Sequence, residues 1–297
     1  MNTLIVGSSG KIGKFFIKKK YKNYYFTYFK NPIPKGIKFN LLNDDLSKII
    51  IKKKIRNLVL LAAMTDIDKC YKNKKYSKII NLQKAKEIVL LSKKYDLKLI
   101  FFSTEFIYDG KKGNYSEKSI AKPINLYGKY KLSVEKFIKE NLKKYCILRI
   151  AKTYSDFSND STIVNEFLKK LKTRKTFQAA FDQKFNPLYV VDLVNITNYL
   201  IKKNIFGIFN VGGPETFSRY SLYKKLNLIA SKSLKSYKKP VIEQVSIKNF
   251  KFAEKRPADV SFNVSKISKI INFKLTNVDL VAKKIIKSLN KNETKRR

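Results

Sequence analysis

From Thr3 to Val6 the chain is an apolar run that stops at a glycine, and within ten residues Phe15, Phe16 and Ile17 follow. Short continuous apolar runs bounded by turn residues read as buried strands. Further runs of this kind are Tyr24 to Phe29, Asn57 to Ala63, Leu97 to Thr104, Cys146 to Ile150, and the strand entering the turn at Gly207–Pro214. Between and after them the apolar positions fall into the helical period. Helices are expected over Tyr76–Tyr95, from Leu126 to about Lys139, over Ser161–Lys172 and Val190–Lys203, and near Ser218–Ser231 and Val278–Leu289. Strands alternating with helices specify an α/β fold with a doubly wound parallel sheet. After the fifth strand the pattern becomes irregular, as insertions forming a smaller, mostly C-terminal substrate-binding domain would make it. Residues 1–155 are therefore assigned to the sheet domain, with 186–211 returning to it. Residues 156–185 and 212–290 form the substrate-binding part, and 291–297 a frayed basic tail.

Candidate chemistry begins at the first turn. Gly7, Gly10 and Gly13 stand three apart between the first strand and the first helix, in a chain with only 10 glycines. Glycines so placed permit a tight turn, close approach of backbone to a pyrophosphate, and close packing of helix on strand, as in a Rossmann-type dinucleotide site. Ser9, Lys11 and Ile12 complete that turn, where a helix N-terminus favours phosphate. An acidic residue ending the second strand would hold the ribose hydroxyls of NAD, and none is present. Lys30 stands there instead, with Lys35 beyond it, which tilts the expected cofactor from NADH to NADPH. Ala62 and Ala63 end the third strand in small side chains that let a cofactor lie against the backbone. Thr104 ends the fourth, where ligands gather in such sheets; Ser103 and Thr104 could equally cap the turn that follows.

Tyr127 and Lys131 lie four apart on one helix, so their side chains share a face. An ammonium beside a phenol favours the phenolate, so a lowered Tyr127 pKa is expected, suited to proton transfer at a carbonyl near neutral pH. The spacing also occurs at Tyr71/Lys75, Tyr108/Lys112, Tyr199/Lys203 and Tyr220/Lys224, so most instances are coincidence in so lysine-rich a chain. Position distinguishes Tyr127: its helix is the one that follows the strand ending in Thr104.

Composition narrows the classes. The 297 residues carry a net charge of +43, which raises nucleic acid or an anionic membrane as partner. The basic residues are nearly all Lys and spread along the chain, without an Arg-rich block or stacking motif, so neither partner is expected. There is no His, which excludes Ser-His-Asp and Cys-His catalysis; no metal-ligand cluster is visible either. Two cysteines suggest reduced thiols, and no apolar run is long enough to span a bilayer. The opening residues read as a strand rather than a secretion signal, so a cytoplasmic location is expected.

Taken together, Gly-x-x-Gly-x-x-Gly at 7–13, Ala62-Ala63, Asn81, Ser103-Thr104 and Tyr-x-x-x-Lys at 127–131 resemble the extended short-chain dehydrogenase/reductases. Ser103-Thr-Glu-Phe-Ile-Tyr-Asp-Gly110, Pro123-x-Asn125-x-Tyr127-Gly-Lys129, Leu148-Arg149, Tyr189-Val-x-Asp-Leu193 and Arg256-Pro257 are most similar to the dTDP-4-dehydrorhamnose reductase-like sugar-nucleotide reductases. That resemblance implies NAD(P)H-dependent reduction of a nucleotide-linked 4-keto-6-deoxysugar. Tyr127 would be the proton donor, Lys131 the ribose ligand, and Thr104 would position the carbonyl. Glu105, Lys152 and Arg256 would face the substrate, Arg256 at its phosphates unless a surface salt bridge claims it. Asn81 would serve as a structural or relay residue, or merely cap a helix. Lys152 stands where these reductases often carry a sugar-stacking Trp, and the chain has no Trp, so the sugar contact must differ. Two alternatives remain: an epimerase that keeps its NAD, and a non-catalytic dinucleotide-binding subunit like the β subunit of methionine adenosyltransferase. A homodimer is left open.

Overall fold

The computed structural model describes residues 1–157, 160, 162–171, 176–235 and 237–294. The expected ends of the Ser161–Lys172 helix, and residues 295–297 of the tail, lie outside them. Six strands, β1 (Asn2–Val6), β2 (Tyr24–Tyr28), β3 (Ile37–Lys38), β4 (Ile55–Leu60), β5 (Lys98–Thr104) and β6 (Tyr145–Ile150), join the Gly207–Val211 strand in one sheet. All its pairs are parallel, in the order β3-β2-β1-β4-β5-β6 and then Gly207–Val211. The order reverses between β1 and β4, and such a switch point leaves a crevice at the strand carboxyl ends. The sheet is the doubly wound Rossmann-type sheet expected from the pattern. Two-residue β3 is too short to leave a periodic signal.

The chain covers both faces of the sheet, which is why its strands read as continuous apolar runs. All seven residues of β5 are buried. Ile100 and Phe102 point into one layer with Phe16, Leu193, Ile196 and Ile267, whereas Leu99 and Phe101 enter the other with Ile88, Val134 and Ile138. Lys98 tolerates burial because its ammonium donates to the Leu200 carbonyl at 2.7 Å.

The helices, in order, are α1 (Gly13–Lys18), α2 (Leu46–Lys52), α3 (Ile67–Lys72), α4 (Lys74–Lys78), α5 (Lys84–Lys94), α6 (Leu126–Asn141), α7 (Ile163–Lys170), α8 (Val190–Lys202), α9 (Arg219–Ser233), α10 (Ser265–Ile270) and α11 (Val278–Thr294). The single helix expected over 76–95 is α4 and α5 joined by a π-type turn, Ile79–Gln83. A turn of that kind carries one extra residue and often marks a functional position. Here it carries Asn81.

A further core holds the later helices together. Phe167 of α7 stacks on Tyr223 of α9 at 4.6 Å between ring centres, and Val281 and Ile285 of α11 close over them. Short strand pairs, 153–154 with 188–189 and 184–185 with 217–218, link this core to the carboxyl end of the sheet.

Candidate active site

At the carboxyl ends of β1 and β4 lies a cleft of about 350 Å³, lined by Gly7, Ser9, Phe29, Asn40, Ala62 and Ala63 among others. Gly7 has φ +91°, and a Cβ there would stand 2.7 Å from the Ala62 nitrogen. At Gly13 a Cβ would meet the Ser8 carbonyl at 2.2 Å, so the start of α1 can pack on the first turn only without one. Gly10 is different: its hypothetical Cβ meets no protein atom closer than 3.4 Å. Packing explains two of the glycines, and the third leaves bare backbone facing outward, the feature a pyrophosphate needs. Ile12 is the N-cap of α1 and supplies no side-chain cap, while Lys11 is exposed beside it. These residues fit a dinucleotide. Lys30 is brought to the rim rather than into the lining: it is exposed, and its ammonium stands 5.9 Å from the Phe29 ring centre.

The second half of the site is built on α6. Asn125 caps that helix, accepting from Gly128 N–H at 2.8 Å, and the cap fixes where Tyr127 and Lys131 leave the first two turns. Both are buried. Tyr127 packs with Ile67 and Cys70 of α3, beside Met64, which follows β4. Its hydroxyl has no hydrogen-bond partner among the described residues. The Lys131 ammonium donates to the Phe102 carbonyl at 2.7 Å and stands 5.8 Å from the Tyr127 ring centre.

This arrangement corrects one expectation. Burial, with Cys70 and Glu105 adding to it, raises the Tyr127 pKa rather than lowering it. The ammonium is turned to a carbonyl of β5, and burial draws its own pKa down to about 8 against the pull of Glu135. The buried phenol therefore keeps its proton at neutral pH.

Thr104, the last residue of β5, accepts from Phe106 N–H at 3.3 Å and so caps the turn after the strand, one of the two roles foreseen for it. As a hydroxyl that accepts this bond, it retains its own proton to donate. Ser103 instead bonds Glu135 of α6. Glu105 is buried and accepts from Lys152 N–H at 3.2 Å. Burial lifts its carboxyl to about 8, with Lys152 opposing. The protein around Lys152 and the neighbouring Arg219 draw its ammonium down to about 8. Its side chain is nonetheless exposed, so water in the crevice moderates that shift.

Arg256 is engaged. Its guanidinium pairs with Asp68 of α3 at 2.9 Å and donates to the Glu254 carbonyl at 3.2 Å. Glu254 in turn accepts from Leu126 N–H at 2.6 Å, so this loop is fastened to the start of α6. Asn81 caps no helix. Its side chain accepts from Met64 N–H at 2.9 Å and donates to Met64 C=O at 2.8 Å, bracing the chain beyond β4. Asp68, Cys70, Glu135, Arg219 and Glu254 are site neighbours that sequence reasoning missed. Asp68, Cys70, Arg219 and Glu254 come from elements remote from α6 in sequence, and Glu135, one turn beyond Lys131, is one of several charged residues on that helix, so none stands out by spacing.

A family model described as "RmlD substrate binding domain" matches residues 1–291. The chain belongs to this family. The kinship read from motifs between Ser103 and Pro257, and expected to cover about residues 1–290, holds over that length. The dTDP-4-dehydrorhamnose reductase of Aggregatibacter actinomycetemcomitans is 23% identical over 274 residues, 89% of this chain and 91% of that one. The methionine adenosyltransferase 2 subunit beta of Bos taurus is 26% identical over 230 residues, 74% of this chain and 69% of its own length. Among solved structures, a hypothetical dTDP-4-dehydrorhamnose reductase from Sulfolobus tokodaii superposes with TM-score 0.82 at 30% identity, covering 95% of this chain and 99% of that one. The Bacillus anthracis dTDP-4-dehydrorhamnose reductase in complex with NADP gives 0.81 at 22% identity, covering 97% and 100%. The UDP-glucuronic acid 4-epimerase of Bacillus cereus, in complex with UDP-glucuronic acid and NAD, gives 0.80 at 22% identity, covering 99% and 100%, and shares the fold of this RmlD-family chain. Among the described residues no helix is long and apolar enough to cross a membrane, and no His/Cys/Asp/Glu cluster could hold a metal.

Proposed function

We propose that this RmlD-family protein is an NAD(P)H-dependent reductase of a nucleotide-linked keto sugar, with a 4-keto-6-deoxyhexose as the class its family kinship suggests. One observation carries the reading: Tyr127 presents an unpartnered hydroxyl beside the end of β4, and burial keeps it protonated. Gly7, Ser9, Gly10, Ile12 and Gly13 would hold the dinucleotide along its phosphates, and Ala62 and Ala63 would lie against it. When bound, the reduced nicotinamide supplies hydride.

The chain's own part is proton transfer and positioning. Thr104 donates a hydrogen bond to the substrate carbonyl oxygen and orients it. Tyr127 gives that oxygen its proton, worth about 10²–10⁴-fold in rate. The Lys131 ammonium, one helical turn away, stabilises the phenolate left behind until solvent reprotonates it. A phenol that holds its proton suits reduction better than an epimerase's opening oxidation, which needs a base. The kinship with dinucleotide-binding β subunits is weighed by the same assay. Incubation with dTDP-4-dehydrorhamnose should oxidise NADPH or NADH in stoichiometric amount; turnover without net oxidation would identify an epimerase, and no turnover of any keto-sugar nucleotide would remove the reductase reading.

A further inference from the structure

Gly128 lies in the first turn of α6, although glycine is a poor helix former. Its backbone does not call for one: unlike Gly110 and Gly113, it has no positive φ. What the position lacks is room. A Cβ there would lie 2.1 Å from the Phe106 carbonyl oxygen, 2.9 Å from the Phe106 carbonyl carbon and 3.0 Å from the Pro123 Cβ. The nearest obstacle is backbone, which cannot rotate aside as a side chain would. The missing side chain lets the turn Glu105–Ile107 lie directly against the helix.

That turn is the one Thr104 caps. Phe106 gives its N–H to Thr104 Oγ1 at 3.3 Å and turns its carbonyl to Gly128. Its side chain packs in the same cluster as Tyr127, the residue before Gly128. Further along, α6 is tied to β5 twice more. Lys131 donates to the Phe102 carbonyl at 2.7 Å, and Ser103 donates to Glu135. Residues 128, 131 and 135 share one face of the helix. Two of these three contacts span the gap with a long side chain, and the third, at Gly128, has no side chain at all. The helix therefore comes nearest to the strand end at its first turn, beside Tyr127.

We propose that Gly128 is a positioning residue: its bare Cα sets the separation of the Thr104 and Tyr127 hydroxyls at the substrate carbonyl. This rests on the proposed reductase reading, in which the two hydroxyls share one oxygen. Relieving the clash of an added methyl group takes a shift of about 1 Å, and a misplacement of that size costs about 10²-fold in rate. With the ties at Lys131 and Glu135 in place, the first turn is the part that swings away, and it carries Tyr127 from Thr104. The glycine turn at 7–13 belongs to β1 and α1 and does not move with it.

The test compares full-length wild type, Gly128→Ala, Thr104→Ala and the double variant in steady-state reduction of dTDP-4-dehydrorhamnose by NADPH. Fluorescence titration gives the NADPH affinity of each. Gly128→Ala should lower kcat about 10²-fold and leave NADPH affinity unchanged. In the Thr104→Ala background the same substitution should cost far less, because the group whose distance it sets is gone. Losses that simply multiply, or an equal weakening of NADPH, would make Gly128 a packing residue and overturn the proposal. Should Gly128→Ala not fold, Asn125 reaches the same turn without crowding it. Asn125→Ala removes the acceptor for Gly128 N–H and should lower kcat with NADPH affinity intact, whereas Asn125→Asp should preserve kcat. Wild-type kcat in Asn125→Ala would then count against the proposal. A Gly128→Ala protein as fast as wild type, beside an inactive Tyr127→Phe, would overturn the positioning role and leave the reductase reading standing. Wild-type protein that reduces no keto-sugar nucleotide would remove both.

Discussion

The Glu135 carboxylate and the Arg149 guanidinium meet at 2.7 Å, with only 2% and 7% of their side-chain areas exposed. Glu135 stands one turn beyond Lys131 on α6, and Arg149 lies in β6, so the pair ties the helix that carries the site tyrosine to the sheet. Ser103 donates to the same carboxylate, and Arg149 donates onward to the Tyr108 hydroxyl at 2.8 Å. Removing one member of such a pair strands the other. Glu135→Leu or Arg149→Leu alone should cost about 3–5 kcal/mol. The double replacement should cost markedly less than the sum, as read from urea unfolding of all three variants.

Tyr127→Phe deletes the hydroxyl and nothing else. The phenol makes no hydrogen bond among the described residues, so its loss should leave stability within about 0.5 kcal/mol. Turnover of a keto-sugar substrate should fall by about 10²–10⁴-fold while NADPH still binds. A variant as fast as the wild type would place the proton donor elsewhere.

The three glycines of the first turn separate folding from binding. A methyl group at Gly13 would collide with the Ser8 carbonyl at 2.2 Å, backbone against backbone, so Gly13→Ala should lower the melting temperature. At Gly10 the nearest protein atom would be 3.4 Å away, an ordinary contact. Gly10→Ala should therefore melt near the wild-type temperature yet bind NADPH more weakly, since the added methyl faces the phosphate side. Fluorescence titration alongside thermal melts would check both.

Much of this was legible because it is local. The glycine turn, the β5–Thr104 ending and the Tyr127/Lys131 pair each fit within one turn of chain or one strand, where residue type and spacing carry the information. The contacts that could not be read act across distance: Glu105 meets the backbone of Lys152 47 residues later, and Arg256 reaches back to Asp68. No periodicity announces such pairs. The expected fall in the Tyr127 pKa failed for a related reason, because helical spacing sets the distance between phenol and ammonium but not how deeply the sheet and α3 bury both. Asn81 shows the same limit, its partner Met64 being 17 residues earlier and its place a π-type turn that the pattern read as ordinary helix.

Glu105 gives the fold a pH dependence of definite sign. Its carboxyl titrates near 8 in the folded protein because burial penalises the charge, against an ordinary 4.5. Between those values the folded state holds a proton that the unfolded chain has released. Stability from this group is therefore complete below the unfolded pKa and is lost as pH rises through the folded one. The contribution amounts to about 1.4 kcal/mol per pH unit across that window. Glu105→Gln keeps the size and can still accept from the Lys152 N–H, but it cannot ionise. Urea unfolding at intervals from pH 5 to 9 should show the wild-type stability falling more steeply than that of the variant, with the two converging towards the acid end. Parallel slopes would mean that Glu105 ionises freely where it lies, through water admitted from the crevice that Lys152 borders.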